Sequence, residues 1–175
     1  MRYRRSDTAG GTFFFTVNLA NRSSRLLTDH IDWLRDSIRK VRHAHPFEIV
    51  AMVILPDHLH AIWTLPSGDR DYPLRWSLIK AGFSRRLEKT DPISAVRRRK
   101  RERGIWQRRY WEHQLRDEAD LARHVDYIHL NPVKHGHAGT PVDWPYSSIH
   151  RYIRQGMVPA DWAVGLDESE SGFGE

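Results

Sequence analysis

Two histidines flank a single leucine, His58–Leu59–His60, inside the run ILPDHLHAIWTLP. Successive side chains of a strand point to opposite faces, so residues i and i+2 share one face. His58 and His60 therefore project together while Leu59 points the other way, and paired imidazoles suit a divalent metal. Taken alone, the motif is more often a pair of ordinary histidines, since eleven are scattered through the chain. Further on, Tyr127 and Asn131 in HVDYIHLNP stand four residues apart, which puts them on one face of a helix. A tyrosine hydroxyl can act as a nucleophile that forms a covalent intermediate, and an amide oxygen can join a metal site. Without the histidines, the same two residues read as a surface aromatic and a helix-ending residue before Pro132.

These side chains need a scaffold. GTFFFTVNLANR predicts a strand from Thr12 to Leu19, rich in aromatic and β-branched residues. Thr28 or Asp29 can cap a helix that runs to about Ala44, with Ile31, Leu34, Ile38 and Val41 at spacings of three and four. Strands are expected at Phe47–Ile54 and His58–Leu65, joined at Pro56–Asp57. A second helix follows in YPLRWSLIKAGFSRRLEKTDP, with Leu74, Leu78, Ile79 and Phe83 as its apolar stripe. WQRRYWEHQL suggests a fourth strand. A third helix opens at Asp117 with acids in its first turn, and its stripe of Leu121, Val125 and Ile128 faces the sheet. Pro132 discourages continuation beyond Asn131. Trp33, Trp63 and Trp76 are assigned to the core. The order strand–helix–strand–strand–helix–strand–helix predicts an α+β fold, a ferredoxin-like (RRM-like) split βαβ sandwich whose antiparallel sheet carries helices on one face.

Composition narrows the partners. With 175 residues and no cysteine, the chain is expected to form a single domain over residues 1–165, without disulfides or a thiolate metal site. No stretch has the length of a membrane span or the shape of a signal peptide, so a cytoplasmic location is expected. The net charge is +6, and the four acids at and after Asp167 put residues 1–166 at +10 (6 plus 4). The acidic tail, residues 166–175, reads as disordered. Eight Lys and Arg lie between Arg97 and Arg109, on a basic loop of about 90–105 and just beyond it, interleaved with aromatics. That pattern suits a phosphate backbone with stackable bases.

Together, His58–Leu59–His60, Tyr127 and Asn131 resemble the His-hydrophobe-His (HUH) single-strand transposases with one catalytic tyrosine. The blocks GTFFFTVNLANR, ILPDHLHAIWTLP, WQRRYWEHQLRDEADLARHVDYIHLNPVKHG and DWPYSSIHRYI look like those of the REP-associated tyrosine transposases, over about residues 3 to 162. More distant insertion-sequence relatives usually carry Gln where this chain has Asn131; either amide can ligate.

The resemblance implies an HUH endonuclease fold and a metal-dependent enzyme that nicks and joins single-strand DNA. Mg²⁺ or Mn²⁺ would be held by His58, His60 and Asn131, and Tyr127 would attack to leave a 5′-phosphotyrosine and a free 3′-hydroxyl. The implied partner is a REP-type palindromic hairpin with a tetranucleotide at its foot, which points to a prokaryotic, nucleoid-associated protein acting as a monomer rather than a homodimer. An N-terminal segment of about residues 1–11 would read the tetranucleotide through Arg4 and Arg5. Arg97, Arg98, Arg99, Arg108, Arg109 and Lys134 would hold backbone, with Trp106 or Trp111 stacked on a base. The alternative is a non-cleaving hairpin DNA- or RNA-binding protein on the same scaffold.

Overall fold

A computed structural model describes residues 10–88 and 103–163 of the chain. Four strands, β1 (Thr12–Asn18), β2 (Glu48–Ile54), β3 (His58–Thr64) and β4 (Trp111–Gln114), form one sheet in the order β2-β3-β1-β4. Every neighbouring pair is antiparallel. With a helical crossover between β1 and β2 and another between β3 and β4, this is the expected α+β split βαβ arrangement. Described helices are α1 (Leu26–Asp29), α2 (Ile31–Ala44), α3 (Tyr72–Arg86), α4 (Glu118–Lys134) and α5 (Ile149–Arg154). None of them is long and apolar enough to cross a membrane.

Strand alternation gives the sheet two unlike faces. Phe13, Phe15, Val17, Leu59, Ala61 and Trp63 point to one side, where α2 and α3 cover them with Leu34, Ile38, Val41, Trp76, Ile79 and Phe83. Trp63 and Trp76 stack there, ring centroids 4.1 Å apart and 16° from parallel. Phe14, Ala51, Val53 and Ile62 face the other way and pack under Ile128, Val125 and Leu121 of α4. The helices expected together on one face are thus divided. Both faces of the central strands are apolar at Phe14 and Ile62 as well as at Phe13 and Trp63, so each needs a cover.

Four local readings are corrected by tertiary context. Thr28 and Asp29 cap nothing; they belong to the short turn α1, and His30 precedes α2 without a side-chain cap. Leu74 is 40% exposed, and the inward face of α3 is made instead by Tyr72, Arg75, Trp76, Ile79 and Phe83. Arg75 is tolerated inside because Asp69 holds its guanidinium at 2.6 Å and the carbonyls of His45, Pro46 and Asp71 accept from it. Trp33 is partly buried and stacks on His30 at 4.3 Å.

The fourth difference shapes the site. Asp117 caps α4, its carboxylate accepting from the Asp120 N–H at 2.8 Å, but the helix runs through Pro132 to Lys134. Proline sacrifices one helical hydrogen bond. The end is then closed by Gly136 at φ +67°, with Gly136 N–H donating to Val133 O and His137 N–H to Pro132 O. That pair of bonds is the Schellman closure, which satisfies carbonyls the helix end would otherwise orphan.

Candidate active site

The two histidines stand side by side on β3, as alternation requires. Their rings lie 5.0 Å apart and nearly perpendicular, at 85°, and each residue is 3% exposed. Each uses Nδ1 within the protein. His58 Nδ1–H donates to Asp57 Oδ1 at 2.8 Å, and Arg22 holds the other oxygen of that carboxylate at 2.8 Å. His60 Nδ1 lies 2.9 Å from the Thr16 hydroxyl, across the ladder that pairs those two residues. Both rings are thereby turned so that Nε2 remains for other use. Burial pushes both imidazoles below their ordinary value, strongly for His60; for His58 the Asp57 carboxylate opposes it. Neutral imidazoles carry the lone pair that a metal needs.

α4 closes over this pair. The Tyr127 ring sits 5.2 Å from the His60 ring at 73°, and the His135 ring 5.2 Å from that of His58. Asn131, between them on the same helix face, is fully buried. Among the described residues neither atom of its amide has a hydrogen-bond partner, and neither has His60 Nε2. Buried polar atoms left without partners are costly. An amide and an imidazole nitrogen orphaned behind a His pair fit a ligand set for a hard or borderline cation. His135 escaped sequence reading because the helix was expected to stop at Asn131; its place at i+4 from Asn131 was the available signal.

An open cavity of about 590 Å³ lies over the site, lined by Phe14, Thr16, His58, His60, Trp111, His124 and Tyr127 with Asn18, Arg22 and Gln107 at its rim. Asn131 lies behind this surface rather than on it. Lys134 places its Nζ 5.4 Å from the Tyr127 ring centroid, a cation over an aromatic face. His124 of the cavity lining joins His113 and Asp120 in a His/Asp group whose ligand-type atoms lie within 4.8 Å of one another, a spacing that fits a metal ion. Hydrogen bonds join the three. His113 Nε2 contacts Asp120 Oδ2 at 3.0 Å, and His124 Nδ1 lies 2.8 Å from the Asp120 main-chain carbonyl. Burial raises the Asp120 carboxyl, but the contacts from His113 and the Arg116 N–H outweigh it and hold the group below its usual value.

Of the residues expected to meet DNA, Arg4, Arg5, Arg97, Arg98 and Arg99 lie outside the described residues. Arg108 and Arg109 are exposed on the segment leading into β4, and Lys134 is exposed at the end of α4. Trp106 is engaged in packing: its ring lies 5.6 Å from Phe83 and its Nε1 donates to Ser84 Oγ at 3.0 Å. Trp111, 45% exposed on the cavity wall, is the tryptophan with an accessible ring.

No family model matches the chain. Two curated proteins do. One, from Escherichia coli K12, is named REP-associated tyrosine transposase and is 46% identical over 97% of this chain and 95% of its own length. The other, from Haemophilus influenzae and provisionally given the same name, is 47% identical over 94% of each chain. Among solved structures, a REP-associated tyrosine transposase bound to a REP hairpin aligns with a TM-score of 0.82 and 44% identity, covering 100% of this chain and 98% of its own.

Proposed function

The chain belongs to the REP-associated tyrosine transposases, DNA-cleaving and -joining enzymes, and from that premise we propose that it cuts and rejoins single-strand DNA at REP-type hairpins through Tyr127. The observation that carries this reading is the Tyr127 ring at 5.2 Å from His60, on the same cavity lining as both histidines. In this reading Tyr127 attacks the scissile phosphate and leaves a 5′-phosphotyrosine and a free 3′-hydroxyl. One phosphodiester replaces another of similar energy, so rejoining needs no nucleotide cofactor.

His58 and His60, through Nε2, and Asn131, through its amide oxygen, would hold Mg²⁺ or Mn²⁺. That ion supplies a positive charge that polarises the phosphate and neutralises charge developing on it. Asp57 and Thr16 orient the two imidazoles, and Arg22 fixes Asp57 in turn. Tyr127 approaches the histidine pair of its own chain within ring-contact distance, which supports action as a monomer. Lys134 lies over the Tyr127 ring, and Arg108 and Arg109 are exposed in the chain between the cavity residues Gln107 and Trp111; all three suit phosphate contacts. Arg4 and Arg5 are proposed for the tetranucleotide at the hairpin foot, and Arg97 to Arg99 for backbone.

The test is cleavage of a 5′-labelled single-strand REP-type hairpin with Mg²⁺ or Mn²⁺, comparing the wild type with Tyr127→Phe. The expected result is a covalent protein–DNA species that needs the ion and disappears in the variant. Tight hairpin binding with no cleavage under either ion would instead establish a non-cleaving hairpin-binding protein.

A further inference from the structure

An unperturbed tyrosine has a pKa near 10, so attack near neutral pH needs a group to accept its proton. We propose that His124 is that general base, an inference that rests on the reading of Tyr127 as nucleophile. The cavity lining leaves few alternatives. Phe14 and Trp111 are not bases, Thr16, Asn18 and Gln107 are neutral and weakly basic, and Arg22 is a permanent cation. Nε2 of His58 and of His60 is assigned to the cation. Among the described residues of the lining, His124 is what remains.

The geometry around it selects the form that a base requires. His124 Nδ1 lies 2.8 Å from the main-chain carbonyl of Asp120 and 3.2 Å from its Oδ1. A carbonyl and a carboxylate can only accept, so Nδ1 must carry the hydrogen. In the neutral ring the lone pair is therefore on Nε2, the nitrogen directed away from Asp120. His124 precedes Tyr127 by three residues, so the two share a side of α4. Both pack on one ring, Phe14, whose centroid is 4.9 Å from His124 and 5.9 Å from Tyr127. Asp120 is itself held by His113 Nε2 at 3.0 Å and the Arg116 N–H at 3.2 Å, and its negative charge stabilises the imidazolium once formed.

The step balances. The phenol proton passes to Nε2, directly or through one water. The tyrosine oxygen bonds to phosphorus as the bond from phosphorus to the departing 3′-oxygen breaks, and that oxygen takes a proton from solvent. On rejoining, a 3′-hydroxyl attacks phosphorus and gives its proton to solvent, the bond from phosphorus to the tyrosine oxygen breaks, and the imidazolium returns its proton to that leaving oxygen.

His124→Asn tests this, because the amide N–H of asparagine can still donate to the Asp120 carbonyl while offering no base. Formation of the covalent adduct should slow by about 10²- to 10⁴-fold, the range for a lost general base, with hairpin affinity and melting temperature unchanged. A fluorinated tyrosine with a more acidic phenol, placed at position 127 of the His124→Asn protein, should recover most of the rate. Adduct formation at the wild-type rate in His124→Asn, or a loss that the fluorinated tyrosine leaves untouched, overturns the assignment. Adduct formation by Tyr127→Phe would overturn the reading of Tyr127 itself, whatever His124 does.

Discussion

The Thr16 hydroxyl meets His60 Nδ1 at 2.9 Å, and the two residues are direct partners in the β1–β3 ladder. One strand thereby sets the ring orientation of a proposed metal ligand on its neighbour. Thr16→Val keeps the shape and the strand propensity but removes that bond. Manganese affinity should fall by about 10- to 100-fold, the usual cost of losing such a partner, while hairpin affinity without metal stays constant. Isothermal titration with Mn²⁺ decides it; an unchanged constant would show that Thr16 merely packs.

Asn131 carries two buried amide atoms with no partner among the described residues. Replacing it with leucine, of similar volume, should therefore stabilise the metal-free protein by roughly 1–3 kcal/mol, the penalty of an unsatisfied buried group. Mn²⁺ binding should weaken in the same protein. Denaturant unfolding in chelator and titration with Mn²⁺ are the two readouts. A destabilised variant with intact metal affinity would place Asn131 in a purely structural role.

His129 is fully buried, with Nε2 2.9 Å from Ser148 Oγ, and burial pushes its imidazole down to about 4 from an ordinary 6.5. Between those values the unfolded chain binds a proton there that the folded chain refuses. Stability is therefore complete above about pH 6.5 and falls as pH drops towards 4, by roughly 3 kcal/mol for a shift of that size. His129→Gln should be less stable at pH 7 and show a shallower loss over that window in urea unfolding. His58 and His60 shift in the same direction and contribute to the slope that remains, as do the lowered carboxyls of Asp69 and Asp120 towards the acid end. An unaltered slope in the variant would refute the assignment to His129.

Leu59 is fully buried among the residues under α2 and α3. Leu59→Ala should cost about 2–5 kcal/mol through lost burial and the cavity left behind, which a thermal melt will register as a drop of several degrees. The flanking imidazoles lose their anchor, so Mn²⁺ affinity should fall as well. Stability lost with metal affinity retained would mean that the β1–β3 ladder alone positions the pair.

Alternation in HLHAIWT was enough to put His58 and His60 on one face with Leu59 opposite, because a period of two leaves no other arrangement. Helical spacing likewise placed Tyr127 with Asn131, and Leu121, Val125 and Ile128 against the sheet. These are local rules, and the chain obeys them locally. Which face of the sheet α4 covers was decided elsewhere: α2 and α3 already occupy the Phe13–Trp63 side, so α4 must cover Phe14 and Ile62, the side that carries the histidines. Leu74 left its expected inward place and Arg75 lies inside for a similar reason, since Asp69 and three carbonyls offered the arginine a satisfied interior. The bond between Thr16 and His60, the approach of His135 to His58 and the hydrogen that Asp120 imposes on His124 Nδ1 bring together groups whose roles no single segment shows. Periodicity acts along the chain, whereas these contacts depend on which segments compete for the same buried surface.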